Sequence, residues 1–384
     1  MSKLLFLFEG ETVVTVHTTR AQFERISSSW EMPAEFKSIF EVQPADIDRN
    51  DVVVFIRPEA MLDRTIARKA RKAGAFIITF CDDDLLNLPK GNIRVPWRKE
   101  MLRQTLKLSD ALITSSRYIA SKYAPLTVQN RYTVVDTVVQ KEEIAKLLPK
   151  QDNKVTLVYA AAASHAGLFK QYIEPVLGRL TEKYGDRLSL NFVGVKPELS
   201  TIESKMEINY YRSMPLNEYR KFMAEKRFDI GLAPGMDTEF SKCKYFNKFV
   251  EYTCHGTVGV YSNTEPYTYV VEDGKNGYLA DNDPDSWYAA IEKAIQNTEE
   301  RKACLDNAIR YLTENHTEEA IFTRFQNDLP ETRHYDGVRS RCTSFFFGKI
   351  LYRLVRVAEV IWLAFATLKE NGIKSVIQKI RGHF

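Results

Sequence analysis

The sequence is short of several things, and each shortage closes a class of explanation. Cysteine occurs five times in 384 residues, at 81, 243, 254, 304 and 342. No two of these have the spacing of a disulfide framework or a zinc ribbon, which fits a reducing compartment. Charge of one sign is not in excess either: 54 Lys and Arg face 50 Asp and Glu, leaving +4, too balanced for a chain that binds nucleic acid through its overall field. There is no repeat of 20 to 50 residues and no low-complexity tract. Long apolar runs are missing as well. The longest window, Val357 to Leu368, is interrupted by Glu359 and falls short of the roughly 20 residues a spanning helix needs. The opening MSKLLFLFEGE has five apolar residues before Glu9 and Glu11, too few for a signal peptide. It reads as a first buried strand of a cytoplasmic protein.

What is present is alternation. A chain of this length suits two domains, each able to bury a core. Up to about Gln140, apolar runs (Leu4 to Phe8, Val13 to Val16, Val52 to Ile56, Phe76 to Phe80, Leu112 to Thr114, Thr133 to Val135) exchange with helical patterns (Ala60 to Ala73, Trp97 to Leu108, Arg117 to Tyr123). Such exchange predicts an α/β fold with a parallel sheet wrapped by helices. Residues 141–153, charged and holding Pro149, read as a linker. A second series follows over 154–338: strand Val155 to Ala160, helix Leu168 to Tyr184, strands Leu188 to Val193 and Ile208 to Tyr211, helix Asn217 to Glu225, a strand-helix-strand crossover, then helices Asp285 to Asn297 and Glu300 to Thr313. The expectation is two tandem Rossmann-like domains with a cleft, followed by a tail over 339–384.

The crossover, Phe228 to Ala280, carries the densest chemistry. A short apolar run ends at Pro234-Gly235, a helical pattern continues to a stop at Gly256, and Thr257 to Tyr261 forms the next run. Lys244, Lys248, Glu251 and His255 recur at four, three and four residues and so share one helical face, while Phe246, Val250 and Cys254 line another. Two cations near a helix start can neutralise a diphosphate, and a carboxylate further along is acceptor-only, suited to paired ribose hydroxyls. The plainer alternative is a solvated face with an i,i+3 pair between Lys248 and Glu251.

Three other stretches draw attention. In AAAASHAGLF, the small side chains from Ala160 to Ala163 permit close approach, and Ser164-His165 stands just before a helix, where donors meet anions. Cys81-Asp82-Asp83-Asp84 follows a strand. Its carboxylates suit a divalent cation; alternatively one caps a helix beginning at Leu85 and the others face water. Arg20, in a helix, and the loop Glu9-Gly10-Glu11 are lesser candidates or scaffold.

In the tail, nine Lys and Arg against two Glu give +7, which leaves −3 for everything before it. Lys349, Arg353 and Arg356 fall at i, i+4 and i+7, Phe346, Ile350, Leu354, Val357 and Ile361 crowd elsewhere, and after Gly372 the stripe resumes with Ile373, Val376, Ile377 and Ile380. A basic amphipathic helix with Trp362 and Phe residues suits the surface of an anionic bilayer. The other reading is packing on the protein's own N-terminal domain or on a partner.

The run FSKCKYFNKFVEYTCHGTVGVYSNTEPYTYVVEDGKNGYLA resembles the nucleotide-sugar segment of retaining glycosyltransferases with the GT-B fold: a lysine-bearing loop, a helix with a Glu-Tyr pair, a small-residue turn, a strand ending in Ser and a loop closing with Asn-Gly. The resemblance implies that Lys244 meets the donor diphosphate and Glu251 the donor ribose; in the scheme expected from this, Lys248 or His165 assists Lys244. It departs from the commonest pattern at Cys243, where the first glutamate of Glu-x7-Glu would fall. Ser164-His165 is similar to the Gly-Ser-x-x-His segment that contacts donor phosphates, with Ala in place of Gly and no Asp after the His. Asp83-Asp84-Leu85 with Pro89 resembles a cleft-wall segment near the acceptor. The expected protein takes a nucleotide sugar and a glycan or lipid-linked acceptor, needs no cofactor or metal, and, through its basic tail, works peripherally on the inner face of the cell membrane. A nucleotide-sugar epimerase of the same fold and a non-catalytic scaffold are the other classes consistent with these residues.

Overall fold

The computed structural model describes residues 1–10, 14–88, 94–135, 139, 144, 154–199 and 206–381. The chain divides into two compact units, Met1–Asp136 with Ile321–Phe384, and Thr137–Ala320. Each is a six-stranded parallel sheet flanked by helices, as the alternation predicts.

The first unit holds β1 (Leu4–Phe8), β2 (Ala34–Ser38), β3 (Val52–Ile56), β4 (Phe76–Cys81), β5 (Ala111–Thr114) and β6 (Arg131–Val134), in the order β2-β1-β3-β4-β5-β6. β1, β3 and β4 are buried along their whole length. Unbroken apolar runs such as LLFLF and VVVFI are what a sheet covered on both faces demands. The run expected as a strand at 13–16 is instead the start of a 16-residue helix, Val14–Ser29, which lays Phe23 and Ile26 into the core; Val13 lies outside the described residues. No helix begins at Leu85. That residue sits in a turn, with Leu85 N–H bonded to Asp83 O at 2.8 Å and Asn87 N–H to Asp84 O at 3.0 Å.

The second unit holds β7 (Val155–Ala160), β8 (Leu188–Val193), β9 (Glu207–Tyr211), β10 (Ile230–Ala233), β11 (Val258–Ser262) and β12 (Tyr278–Ala280), in the order β12-β11-β10-β7-β8-β9. Strand order reverses between β7 and β10. In open parallel sheets that reversal opens a crevice beyond the carboxyl ends of the strands. The helix expected from Leu168 to Tyr184 is two, Ala166–Tyr172 and Glu174–Tyr184, because Pro175 has no N–H to continue the first. Most of the segment read as a linker lies outside the described residues; Ile144 packs against the second core.

Where the sequence carried the second domain to 338, the chain is back on the first unit from Ile321. Phe322 and Phe325 pack on Trp30, with ring centroids 4.3 and 5.8 Å apart. Arg131 pairs with Glu331 at 2.7 Å, and Ser2 N–H bonds Arg333 O at 3.0 Å. The tail is then one helix, Phe346–Arg381, that runs through Gly372 without a break. Tyr352, fully buried, joins the first unit's core with Phe345 and Cys342.

Candidate functional site

The second unit contains a cavity of about 400 Å³ at the carboxyl ends of β7, β8, β10 and β11. It therefore occupies the crevice at the strand-order reversal, and its size is in the range of small-ligand sites.

Two glycines shape it. Gly231, on β10, faces the ring of Tyr252, and a Cβ there would meet Tyr252 Cδ2 at 2.4 Å. The helix Asn247–Cys254 can thus lie close on the sheet, and the Tyr252 hydroxyl donates to Leu232 O at 3.0 Å. Gly194, with φ +78°, turns the chain after β8 where a Cβ would stand 2.8 Å from Ala161 O; Ala161 N–H in turn bonds Val193 O at 3.0 Å. Next to the lining residue Gly235, the Ser262 hydroxyl accepts from Gly235 N–H and donates to Asn282 Oδ1, both at 2.7 Å. The serine ending β11 therefore fixes the Pro234-Gly235 turn.

Lys244, Lys248 and His165 all line this cavity. Lys244 is not on the long helix. It follows a single turn, Glu239–Lys242, and the next helix starts at Asn247. Its N–H bonds Ser241 O at 3.0 Å, and its ammonium lies over the Phe240 ring, 4.2 Å from the centroid. Lys248 stands in the first turn of Asn247–Cys254, its Nζ 2.7 and 2.8 Å from the two Glu251 oxygens. Glu251 also accepts a hydrogen bond from the Tyr219 hydroxyl. It sits behind the Lys248 and Tyr219 side chains, which do line the cavity. The i,i+3 pair of the plainer reading is present, and it places Lys248 on the cavity with Glu251 behind it. Burial first, and the Glu251 charge second, push the Tyr219, Tyr252 and Tyr267 phenols above their ordinary range, so these hydroxyls stay donors near neutrality. His255, expected on the same face, is instead buried past the helix end.

Ser164 and His165 belong to the turn Ala163–His165 that precedes the helix Ala166–Tyr172. The imidazole is exposed, and the backbone is anchored by the Tyr159 hydroxyl donating to His165 O at 2.7 Å. Cys243 is fully buried and does not line the cavity.

The remaining candidates lie in the first unit. Gly10 follows β1; Glu11 lies outside the described residues, as does Pro89. Arg20 pairs with Glu24 at 2.7 Å and rests over the Phe8 ring. Arg57 takes Asp82 at 2.5 Å and Asp83 at 2.9 Å. Asp84 is fully buried and accepts from the Tyr123 hydroxyl at 3.0 Å and from Lys122 at 3.1 Å. Among the described residues, no group of three or more His, Cys, Asp and Glu has a metal-binding arrangement.

A cluster that the sequence did not announce lies at the end of β1. Arg98 reaches Glu9 at 2.6 Å and Glu359 of the tail helix at 2.7 Å. Glu359 also accepts from Trp97 at 3.2 Å and from Arg356 at 2.8 Å, and the Tyr352 hydroxyl donates to Glu9. Burial pushes the Glu9 carboxyl up, but Arg98 above all, then Tyr352 and Arg356, bring it below its ordinary value.

No family profile matches the chain, and no curated protein matches it. Solved structures do. Anabaena HepE in complex with UDP is 13% identical with a TM-score of 0.57, over 86% of this chain and 100% of that one. The lipopolysaccharide outer core galactosyltransferase WaaB is 14% identical with a TM-score of 0.56, over 86% and 99%. Sucrose-phosphate synthase from Thermosynechococcus elongatus is 9% identical with a TM-score of 0.57, over 86% and 98%. The shared architecture is the GT-B fold.

Proposed function

From a GT-B chain whose second unit turns two lysines and a histidine onto one cavity, we infer a glycosyltransferase that moves a sugar from a nucleotide donor to an acceptor hydroxyl. The convergence of Lys244 and Lys248 on the crevice at the β7/β10 reversal carries this reading. HepE, similar in fold, has been solved with UDP and with UDP-glucose.

As the glycosidic bond breaks, the departing diphosphate gains charge while the sugar becomes oxocarbenium-like. Lys244 neutralises that charge, with Lys248, His165 and the N–H groups around Ser164 assisting, and preorganised cations of this kind need no reorganisation during the step. Glu251 turns from Lys248 and Tyr219 to the ribose hydroxyls. The scheme uses no cofactor and no metal. Retention of anomeric configuration is carried over from the family resemblance. Gly10, Arg20 and Asp83 serve on the acceptor side, whereas Asp84, expected with them, is sealed in the first unit by Tyr123 and Lys122; the acceptor is a glycan or lipid-linked sugar.

The tail supports work at a bilayer. While Tyr352 and Glu359 face the first unit, Phe346, Phe347, Leu351, Leu354, Val357, Ile361 and Phe365 are exposed by 52 to 84%. No helix among the described residues is long and apolar enough to cross a membrane. A helix that is polar-clamped inside and apolar outside lies on the inner face of an anionic membrane.

Isothermal titration with UDP-glucose, UDP-galactose and GDP-mannose, followed by transfer and donor-hydrolysis assays, tests the reading. One donor binds, and Lys244→Ala abolishes turnover. Turnover of the sugar nucleotide without acceptor to an isomeric product makes the protein an epimerase; binding without any turnover makes it a scaffold.

A further inference from the structure

The cavity wall contains one carboxylate among its lining residues, and it is neither Glu251 nor at position 243. It is Glu265, in the loop after β11, together with Thr264, Pro266 and Tyr267. Its Oε2 is buried and has no hydrogen-bond partner among the described residues. A buried acceptor left unpaired is unfavourable, more so when charged, so this oxygen is placed where a ligand donor satisfies it.

The chemistry of the occupant follows from charge. Beside a diphosphate the carboxylate is repelled, and the lysines already serve that part of the ligand. Beside a base its acceptor-only character suits few edges. Against neutral, donor-rich hydroxyl pairs it is well matched. A nucleotide sugar has two such pairs, on the ribose and on the hexose. Glu251, behind Lys248 on the helix Asn247–Cys254, is the carboxylate assigned to the ribose. Position 243 offers no acid to this cavity, because Cys243 is sealed in the core with its thiol donating to Glu239 O at 3.3 Å.

We propose that Glu265 binds the hydroxyls of the donor's sugar ring and sets which sugar is accepted, its carboxylate reaching the cavity from the loop after β11. The inference rests on the nucleotide-sugar reading above, and the test separates the two.

Wild type, Glu265→Gln, Glu265→Asp and Glu251→Gln are titrated with UDP, GDP, UDP-glucose, UDP-galactose and GDP-mannose, each variant first checked by thermal melting. For the best-bound sugar nucleotide, Glu265→Gln loses about tenfold or more in affinity while the parent diphosphate stays within about twofold. Glu265→Asp changes the ranking of the sugars with the parent diphosphate again unaffected. Glu251→Gln weakens sugar nucleotide and diphosphate alike. Unchanged sugar-nucleotide affinity in Glu265→Gln, or an equal loss on the parent diphosphate, overturns the assignment while the donor reading stands. If wild type binds none of the five, the donor reading falls and this inference with it.

Discussion

Arg98 and Glu359 are 261 residues apart in sequence and 2.7 Å apart in space. The Glu359 side chain is 1% exposed, so the pair is desolvated, and removing Arg98 leaves two inward-facing carboxylates, Glu9 and Glu359, to share Arg356. Arg98→Met is expected to cost about 3–5 kcal/mol, read by urea unfolding. The same guanidinium holds Glu9 below its ordinary 4.5. A carboxyl lowered in the folded state contributes stability fully above its unfolded pKa and loses it as pH falls through the folded value. Stability of the wild type is therefore expected to decline below about pH 4.5, with a shallower decline in Arg98→Met; parallel acid profiles would separate Glu9 from the cluster.

Gly231→Ala places a methyl where the Tyr252 ring lies. Overpacking of this kind costs about 1–3 kcal/mol, and relief comes by moving the helix that carries Lys248 and Glu251. Loss of stability is expected together with loss of nucleotide affinity. Tyr252→Phe keeps the ring and removes only the hydrogen bond to Leu232 O, so a milder cost of about 1 kcal/mol is expected. Urea unfolding and isothermal titration on both variants give the comparison; an affinity that survives Gly231→Ala would detach the helix position from binding.

For the tail, Phe347→Asp with Leu354→Asp alters two side chains that are 84% and 65% exposed. Exposed positions of this kind change stability little, yet flotation with vesicles containing anionic phospholipid should fall sharply, and that of the wild type should weaken with added salt. Flotation of the double variant equal to wild type would rule out this face as the lipid contact.

Much of the architecture was readable because buried parallel strands advertise themselves as unbroken apolar runs. β2, AEFKS, is an edge strand half-buried along its length and makes no such run; β12 is three residues long. Val13 to Val16 misled through β-branched residues, whose local preference gives way to the packing of Phe23 and Ile26. Within the site, the spacing of Lys248 and Glu251 was a true helical signal. Lys244 reaches the same cavity by another route, from a turn after a short helix, which periodicity cannot distinguish from the helix itself. Glu265 had no signal at all: a lone acid in a loop acquires meaning only when the cavity around it is seen.

The tail also limits how the protein can be shortened. Its exposed apolar residues and the acid that shares Arg98 with Glu9 alternate along the same turns, so a chain cut before Phe346 to gain solubility would also take Tyr352 out of the first unit's core and Glu359 away from Arg98. Soluble variants have to be made by repainting the outer face, residue by residue, with the inner one left intact.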